Sequence, residues 1–283
     1  MTGLISTLGL PLLACLLMTA VLGYLGLHVL KREVIFIDIA VAQIAALGAI
    51  AAHMSFHVHA DSPLASICAF GATLIAALFF AVAKRKISTL PIEATIGITY
   101  AIVAAGTLFM IGKSTGSHTH IQQMLTGSLL WVDARDIGWA ALAFAFAGLC
   151  FRGFRRPFQR ISDNYENAAR DGLNVVGWDF LFYALCGIVI TVAVRLAGVV
   201  VIFCFLIIPA TISALFSEKW GVRLVITWVA GTIGSLCGLA FCQSLDFSAG
   251  VSVALFLGLL LVATGVTTLV SHRRLTKTEP SRI

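Results

Sequence analysis

The chain has little charge. Only 11% of its 283 residues are charged, whereas 59% are hydrophobic, and the mean hydropathy is +1.00. A soluble domain usually carries charge on about a quarter of its residues. The composition therefore excludes a water-soluble globular protein, and no segment is left that is long enough for a sizeable soluble domain. It predicts a chain that lies mostly within a membrane.

The sequence also lacks the motifs of catalytic and metal-binding sites. The cysteines are scattered singly through apolar stretches and form no C-x-x-C pair, a pattern typical of small packing residues. Neither G-x-S-x-G nor H-E-x-x-H occurs. The tripeptide 112–114 matches only the end of a phosphate loop, because Thr107 stands where its first glycine is required. We therefore predict a chain that is not an enzyme, holds no permanent cofactor and has no ATP site.

Long windows without charge recur along the chain. A helix rises about 1.5 Å per residue, so about 20 residues cross the roughly 30 Å hydrocarbon core of a bilayer. The two shortest windows can be extended by Trp139 and Trp178, which suit the membrane interface. The pattern predicts an all-α, polytopic transmembrane helical bundle of about nine (eight to nine) membrane helices, as one domain over residues 1–272 with a cytoplasmic polar tail over 273–283. The windows are 1–30, 39–60, 62–83, 94–112, 137–151, 180–194, 196–217, 224–245 and 247–272.

The positions of the basic residues predict the orientation. If the amino terminus lies outside, all of the 19 lysines and arginines except Lys113, Arg135 and Arg195 fall on the inner side. The positive-inside rule then places the amino terminus outside and the carboxyl terminus in the cytoplasm. The basic residues flank helices and form no continuous stripe, so nucleic acid is not a predicted partner. One alternative stays open. If residues 178–212 formed a single broken crossing, the number of crossings would change by one, and one terminus would lie on the other side of the membrane.

Two polar residues enter an otherwise apolar segment near the second predicted helix. Asp38 and Gln43 lie where most neighbours are compatible with lipid. Polar groups in such segments usually face a bundle interior or a water-filled cavity, which makes both residues candidates for a translocation path. Asp38 has a second interpretation, in which it is solvated at the helix end and pairs with Lys31 or Arg32.

A group of histidines follows on the predicted outer side. His53 and His57 are four residues apart and can share a helix face, and His59 follows closely. Imidazole is a competent ligand for zinc, manganese and iron, so these three residues are candidate metal ligands. The alternative is ordinary solvated loop polarity, since no strict spacing of a structural zinc site is present.

A short amphipathic break separates two apolar windows at residues 209–223. Leu215, Phe216 and Trp220 lie beside charged residues on the predicted inner side. Aromatic anchors dominate many protein contacts, so this segment is a candidate docking site for a cytoplasmic partner. In the alternative interpretation, its aromatic side chains lie in the membrane interface.

Taken together, these segments resemble the permease family of zinc, manganese and iron ABC importers. The resemblance implies a bacterial inner-membrane subunit that moves a transition metal inward. The implied partners are a separate ATPase that binds ATP, an extracytoplasmic metal-binding protein, a second permease copy or paralogue, and membrane lipid. It also implies a coupling helix at about 210–223, with Ser213, Leu215, Phe216, Glu218, Trp220 and Arg223 as contacts to the ATPase. The segments that carry the resemblance are 23–26, 36–48, 93–98, 168–175 and 198–210.

The resemblance is incomplete at the metal-handling motif, which reads G-D-A-L-A-H in the family. When Phe36 and Gly48 are aligned, the histidine falls on Gln43, the aspartate on Ile39 and the glycine on Asp38. A shift of one residue rotates a helical side chain by about 100°, so Asp38 is not a simple replacement. This leaves room for a different metal, a chelate or a heterodimeric permease. An ion-coupled secondary transporter is the competing function. It would need ionisable residues within the membrane, and their scarcity in this sequence disfavours it.

Overall fold

The computed structural model describes residues 2–56, 62–87, 90–113, 129–245 and 247–277, and this part of the chain is all-α. A 3-10 turn at Leu129–Trp131 precedes α5. The helices are α1 (Thr2–Lys31), α2 (Ile37–Phe56), α3 (Pro63–Lys86), α4 (Ile92–Lys113), α5 (Ala134–Gly153), α6 (Arg155–Asp163), α7 (Tyr165–Arg170), α8 (Val175–Ala197), α9 (Val199–Phe216), α10 (Trp220–Leu245) and α11 (Ala249–Lys277).

The predicted bundle is confirmed. Nine of the helices in the described ranges are long and apolar enough to cross a membrane: α1 to α5 and α8 to α11. The two short helices α6 and α7 connect α5 to α8 and carry mostly polar residues. Residues 273–277 continue α11, and the rest of the predicted tail lies outside the described residues.

Local capping explains several helix starts. Ser62 accepts a hydrogen bond from the Ala65 amide at 3.2 Å, and Pro63 occupies the first helical position of α3. Asn164 and Asn174 do the same for α7 and α8, at 2.9 and 3.1 Å respectively. These side chains replace backbone partners that the first turn of a helix lacks.

The helices differ strongly in how much of each span is buried. Within an 18-residue apolar window of each helix, 67% of the residues of α8 are buried, against 17% in α4 and 11% in α11. The core therefore lies around α8 and the helices next to it, and most residues in the windows of α4 and α11 are at least partly exposed.

Close helix contacts depend on small residues. An added Cβ at Gly26 of α1 would lie 1.8 Å from the Leu206 carbonyl oxygen of α9, far inside contact distance. Such approaches are common where apolar burial alone does not drive association between membrane helices. Gly26 thus fixes the distance between α1 and α9.

A single glycine separates α8 from α9. Gly198 has φ 83° and ψ 159°, a conformation that is essentially restricted to glycine. The break divides residues 175–216 into two helices, each long enough to cross the membrane. The structure therefore favours two crossings here over the single broken crossing.

Replacing Gly198 with alanine is expected to lower the free energy of unfolding by about 1–3 kcal/mol, because a Cβ is strained at this backbone conformation. Thermal unfolding of the purified protein in detergent would measure the loss. Gly97→Ala is the matched control: an added Cβ there meets no atom within 4 Å and the residue has no positive φ. Equal stability of both variants would contradict the prediction.

Candidate functional site

Asp38 is a buried carboxylate in the first turn of α2. The residue is 1% exposed, and no described residue gives either carboxylate oxygen a well-aligned hydrogen bond. A buried charge without a partner is costly and usually marks a functional site.

The structure excludes the ion pairs that the sequence allowed for Asp38. Lys31 pairs with Asp163, and Arg32 pairs with Asp179. Asp38 instead lies within electrostatic range of the Cys186 and Cys204 thiols, on α8 and α9 respectively. Three helices thus bring groups with metal-binding chemistry into one region.

These groups do not form a preformed metal cluster. Within the described part of the chain, no three His, Cys, Asp or Glu side chains are arranged to hold a metal ion. Gln43 is half-buried, and its position five residues after Asp38 turns it about 140° around the helix. His53 lies in the last turn of α2, whereas His57 and His59 lie outside the described residues. The three histidines therefore remain predicted ligands.

A buried ion pair joins the turn directly after α1 to α8. Arg32 Nη1 donates to Asp179 Oδ1 at 2.6 Å, and both side chains are 0% exposed. The Arg32 guanidinium also lies 4.0 Å from the centre of the Phe182 ring. A buried pair of this kind is a weak source of stability, but removing one partner leaves an uncompensated charge.

Ser162 extends this pair into a polar network with α6. Its hydroxyl oxygen accepts from Arg32 Nε at 2.8 Å and lies 2.8 Å from His28 Nδ1. Because arginine only donates, the Ser162 proton is available to the histidine nitrogen. The network therefore holds the short helix α6 against the end of α1 and the start of α8.

Asp163 joins α6 to α10. Its carboxylate pairs with Lys31 and accepts from Trp220 Nε1, at 3.2 Å to each oxygen. Lys31 Nζ lies 4.4 Å from the centre of the same indole ring. Movement of α6 is thus linked mechanically to the first residue of α10.

Segments 165–171 and 214–219 lie at the same end of the bundle, because Trp220 contacts Asp163. We name the two segments together the inner platform, after the predicted orientation. Glu166 and Arg170 have side chains that are 80% and 76% exposed. Phe216 is 53% exposed although it is a large apolar residue. Lys84 of α3 contacts the platform, because its Nζ lies 4.7 Å from the centre of the Tyr165 ring. Burial raises the pKa of the Tyr165 phenol.

The predicted coupling segment does not form a helix of its own. Residues 210–216 complete α9, and α10 begins at Trp220, so only three residues are non-helical. Leu215, Phe216 and Glu218 are exposed and Trp220 is partly exposed. Ser213 and Arg223, predicted as contacts to the ATPase, are both buried, and Arg223 Nε donates to Ser213 Oγ at 3.4 Å. This buried contact connects α9 to α10.

Sequence reasoning missed the network of His28, Arg32, Ser162 and Asp179. Arg32 and Asp179 are 147 residues apart, and no local pattern indicates that they pair. One available signal was that Asp179 directly precedes an apolar window, where an unpaired charge is costly. The platform helix α7 was noticed only as part of a resembling segment.

Comparison with known proteins is consistent with this architecture. Residues 6–267 match the ABC 3 transport family. A Chlamydia muridarum protein named "Probable metal transport system membrane protein" is 22% identical over 244 residues, which cover 84% of this chain and 80% of the relative. "Manganese transport system membrane protein MntC" of Listeria monocytogenes is 24% identical over 187 residues, covering 66% of this chain and 65% of the relative. The solved structure "PsaBC from Streptococcus pneumoniae in complex with Fab" has a TM-score of 0.75 at 20% identity, over 93% of this chain and 94% of that chain.

Proposed function

The chain belongs to the ABC 3 transport family, and on this basis we propose that it is the permease subunit of an importer that moves a transition metal into the cytoplasm. A separate ATPase drives transport, and an extracytoplasmic binding protein delivers the metal. The observation that carries the proposal is the family match over 6–267, which covers eight of the nine candidate membrane spans in the described residues and most of the ninth. The names of the two relatives support a metal as cargo.

Asp38 is the proposed contact for the metal in the translocation path. A carboxylate attracts a divalent cation, and the thiols of Cys186 and Cys204 lie within its electrostatic range. Because these groups are not clustered, the metal would be held weakly and transiently. Weak binding suits a path, since an ion must leave each site as readily as it arrives.

The inner platform is the proposed docking surface for the ATPase. It combines an exposed apolar side chain, Phe216, with the charged helix α7. Asp163 connects α6, next to the platform, to α1 and α10. Ser162 connects α6 to the Arg32–Asp179 pair and so to α8. A displacement of the platform by the ATPase would therefore reach the membrane helices through these bonds. Access to Asp38 would then change between the two sides.

Reconstitution tests the proposed function against the ion-coupled alternative. Proteoliposomes would contain the chain alone or with its cognate ATPase, and metal uptake would be measured with ATP inside or outside. We expect uptake only with the ATPase and ATP on its side of the membrane. Uptake at an undiminished rate without the ATPase would contradict the proposal and favour a secondary transporter.

Phe216→Asp is expected to weaken association with the ATPase about tenfold or more, because apolar anchors at interface centres carry most of the binding energy. Co-purification and a titration of purified ATPase against the chain in nanodiscs would measure the effect. Phe247→Asp is the matched control, since Phe247 is 59% exposed and lies beyond the other end of α10. Unchanged binding by Phe216→Asp would remove Phe216 from the docking surface.

A further inference from the structure

A groove opens between α1, α5 and α10 at the end that carries the basic residues. Its volume is about 500 Å³. Val21 and Leu27 of α1, Phe151 of α5 and Trp228 of α10 line it. These residues belong to candidate membrane-spanning helices, so this part of the groove lies within the bilayer.

The inner end of the groove is basic. Arg152 and Arg155 line it together with Gln159, and no carboxylate is among the lining residues. Both arginines are exposed, and within the described ranges neither forms an ion pair. Their guanidinium groups are therefore free to bind an anion from outside the chain.

We infer that this groove binds an anionic phospholipid. Its acyl chains would lie along α1, and its headgroup phosphate would be held by Arg152 and Arg155. Basic pockets between membrane helices at the cytoplasmic side bind anionic headgroups. A free phosphate would contact only the arginines and would leave the apolar lining uncovered, whereas the acyl chains of a lipid would cover it. The inference concerns a lipid site and does not depend on the proposed transport function.

The groove is kept open by small residues and fixed aromatic walls. An added Cβ at Gly148 or Gly221 would meet no atom within 4 Å, so both positions face empty space. Trp228 Nε1 donates to the Ala20 carbonyl at 3.1 Å, which holds the indole in the wall. Trp228 is 42% exposed and can report an occupant by its fluorescence.

The experiment compares phosphatidylglycerol with phosphatidylcholine, both carrying brominated acyl chains that quench tryptophan. The full chain in mixed micelles would be titrated with each lipid, and native mass spectrometry would count retained lipid. We expect quenching at lower concentration with phosphatidylglycerol, and loss of that preference by roughly 20-fold in the Arg152→Glu, Arg155→Glu double variant. Trp228→Phe should remove much of the specific quenching.

Two further variants separate this groove from general surface charge. Arg156→Glu changes the neighbouring exposed arginine, which does not line the groove, and should leave the preference unchanged. Gly148→Phe should fill the groove and reduce retention of phosphatidylglycerol while thermal unfolding stays as in the unmodified chain. It also tests the site if the double variant fails to fold.

Several results would overturn the inference. Equal binding of both lipids would show that the groove does not select an anionic headgroup. Equal loss in Arg156→Glu would assign the preference to the whole basic surface. Normal retention in Gly148→Phe would place the lipid elsewhere. Displacement by inorganic phosphate or glycerol phosphate at concentrations similar to those of the lipid would show a phosphate site instead.

Discussion

Replacing Asp179 with alanine is expected to lower the free energy of unfolding by about 3–5 kcal/mol, because it leaves the Arg32 guanidinium buried without its countercharge. The Arg32 side chain is 0% exposed, so surrounding water does not solvate its charge. Ser162 and the Phe182 ring would remain as contacts, but neither carries a full negative charge. Thermal or denaturant unfolding in detergent would measure the loss.

A double variant separates the pair from its surroundings. Arg32→Met with Asp179→Leu removes both charges and should recover most of the lost stability, since well-packed apolar residues often replace a buried pair without cost. Asp163→Ala is the exposed control: its carboxylate is 47% exposed, and loss of its pair with Lys31 should cost about 1 kcal/mol or less. The account of the pair is wrong if Asp179→Ala costs no more than Asp163→Ala.

Asp38→Ala is expected to reduce metal uptake at least tenfold while leaving the protein as stable as before or about 1–3 kcal/mol more stable. The variant removes two buried oxygens that lack well-aligned hydrogen bonds, which relieves a desolvation penalty of that order. It also removes the carboxylate that we propose as the contact for the metal. Loss of activity with a gain in stability is the signature of a strained functional residue.

Uptake of radioactive metal by whole cells and melting of the purified protein would test both parts of this prediction. Asp136→Ala provides the matched control, because Asp136 also lies in the first turn of a membrane helix but is exposed. Asp136→Ala should retain normal uptake. Normal uptake in Asp38→Ala would exclude Asp38 from the path, and a large loss of stability would assign it a structural role.

The two buried carboxylates show how similar residues take different roles. Asp179 has an arginine within hydrogen-bond distance and locks α8 to the turn after α1. Asp38 has no such partner among the described residues and lies within electrostatic range of the Cys186 and Cys204 thiols. The first arrangement stabilises one conformation, whereas the second leaves a buried carboxylate without a hydrogen-bond partner in the described part of the chain. This contrast supports our proposal of a path at Asp38 and a mechanical connection at Arg32–Asp179.

The sequence by itself determined the class of the protein and the number of its candidate membrane helices. Hydropathy acts on each segment separately, since about 20 apolar residues suffice to cross the bilayer whatever their neighbours are. For this reason charge-free windows such as 39–60 and 224–245 correspond to α2 and α10. The sequence also identified Asp38 as a candidate path residue, because a carboxylate is unusual next to an apolar segment of this kind.

Only the tertiary structure decided which polar groups meet. Arg32 contacts Asp179, which is 147 residues away in the sequence, and Asp163 contacts Trp220, which is 57 residues away. The burial of Ser213 and Arg223 and the backbone conformation of Gly198 were equally invisible in a segment of ordinary apolar composition. The physical reason is that such contacts depend on the distances and rotations between helices, which are set by small-residue packing such as that of Gly26 against Leu206.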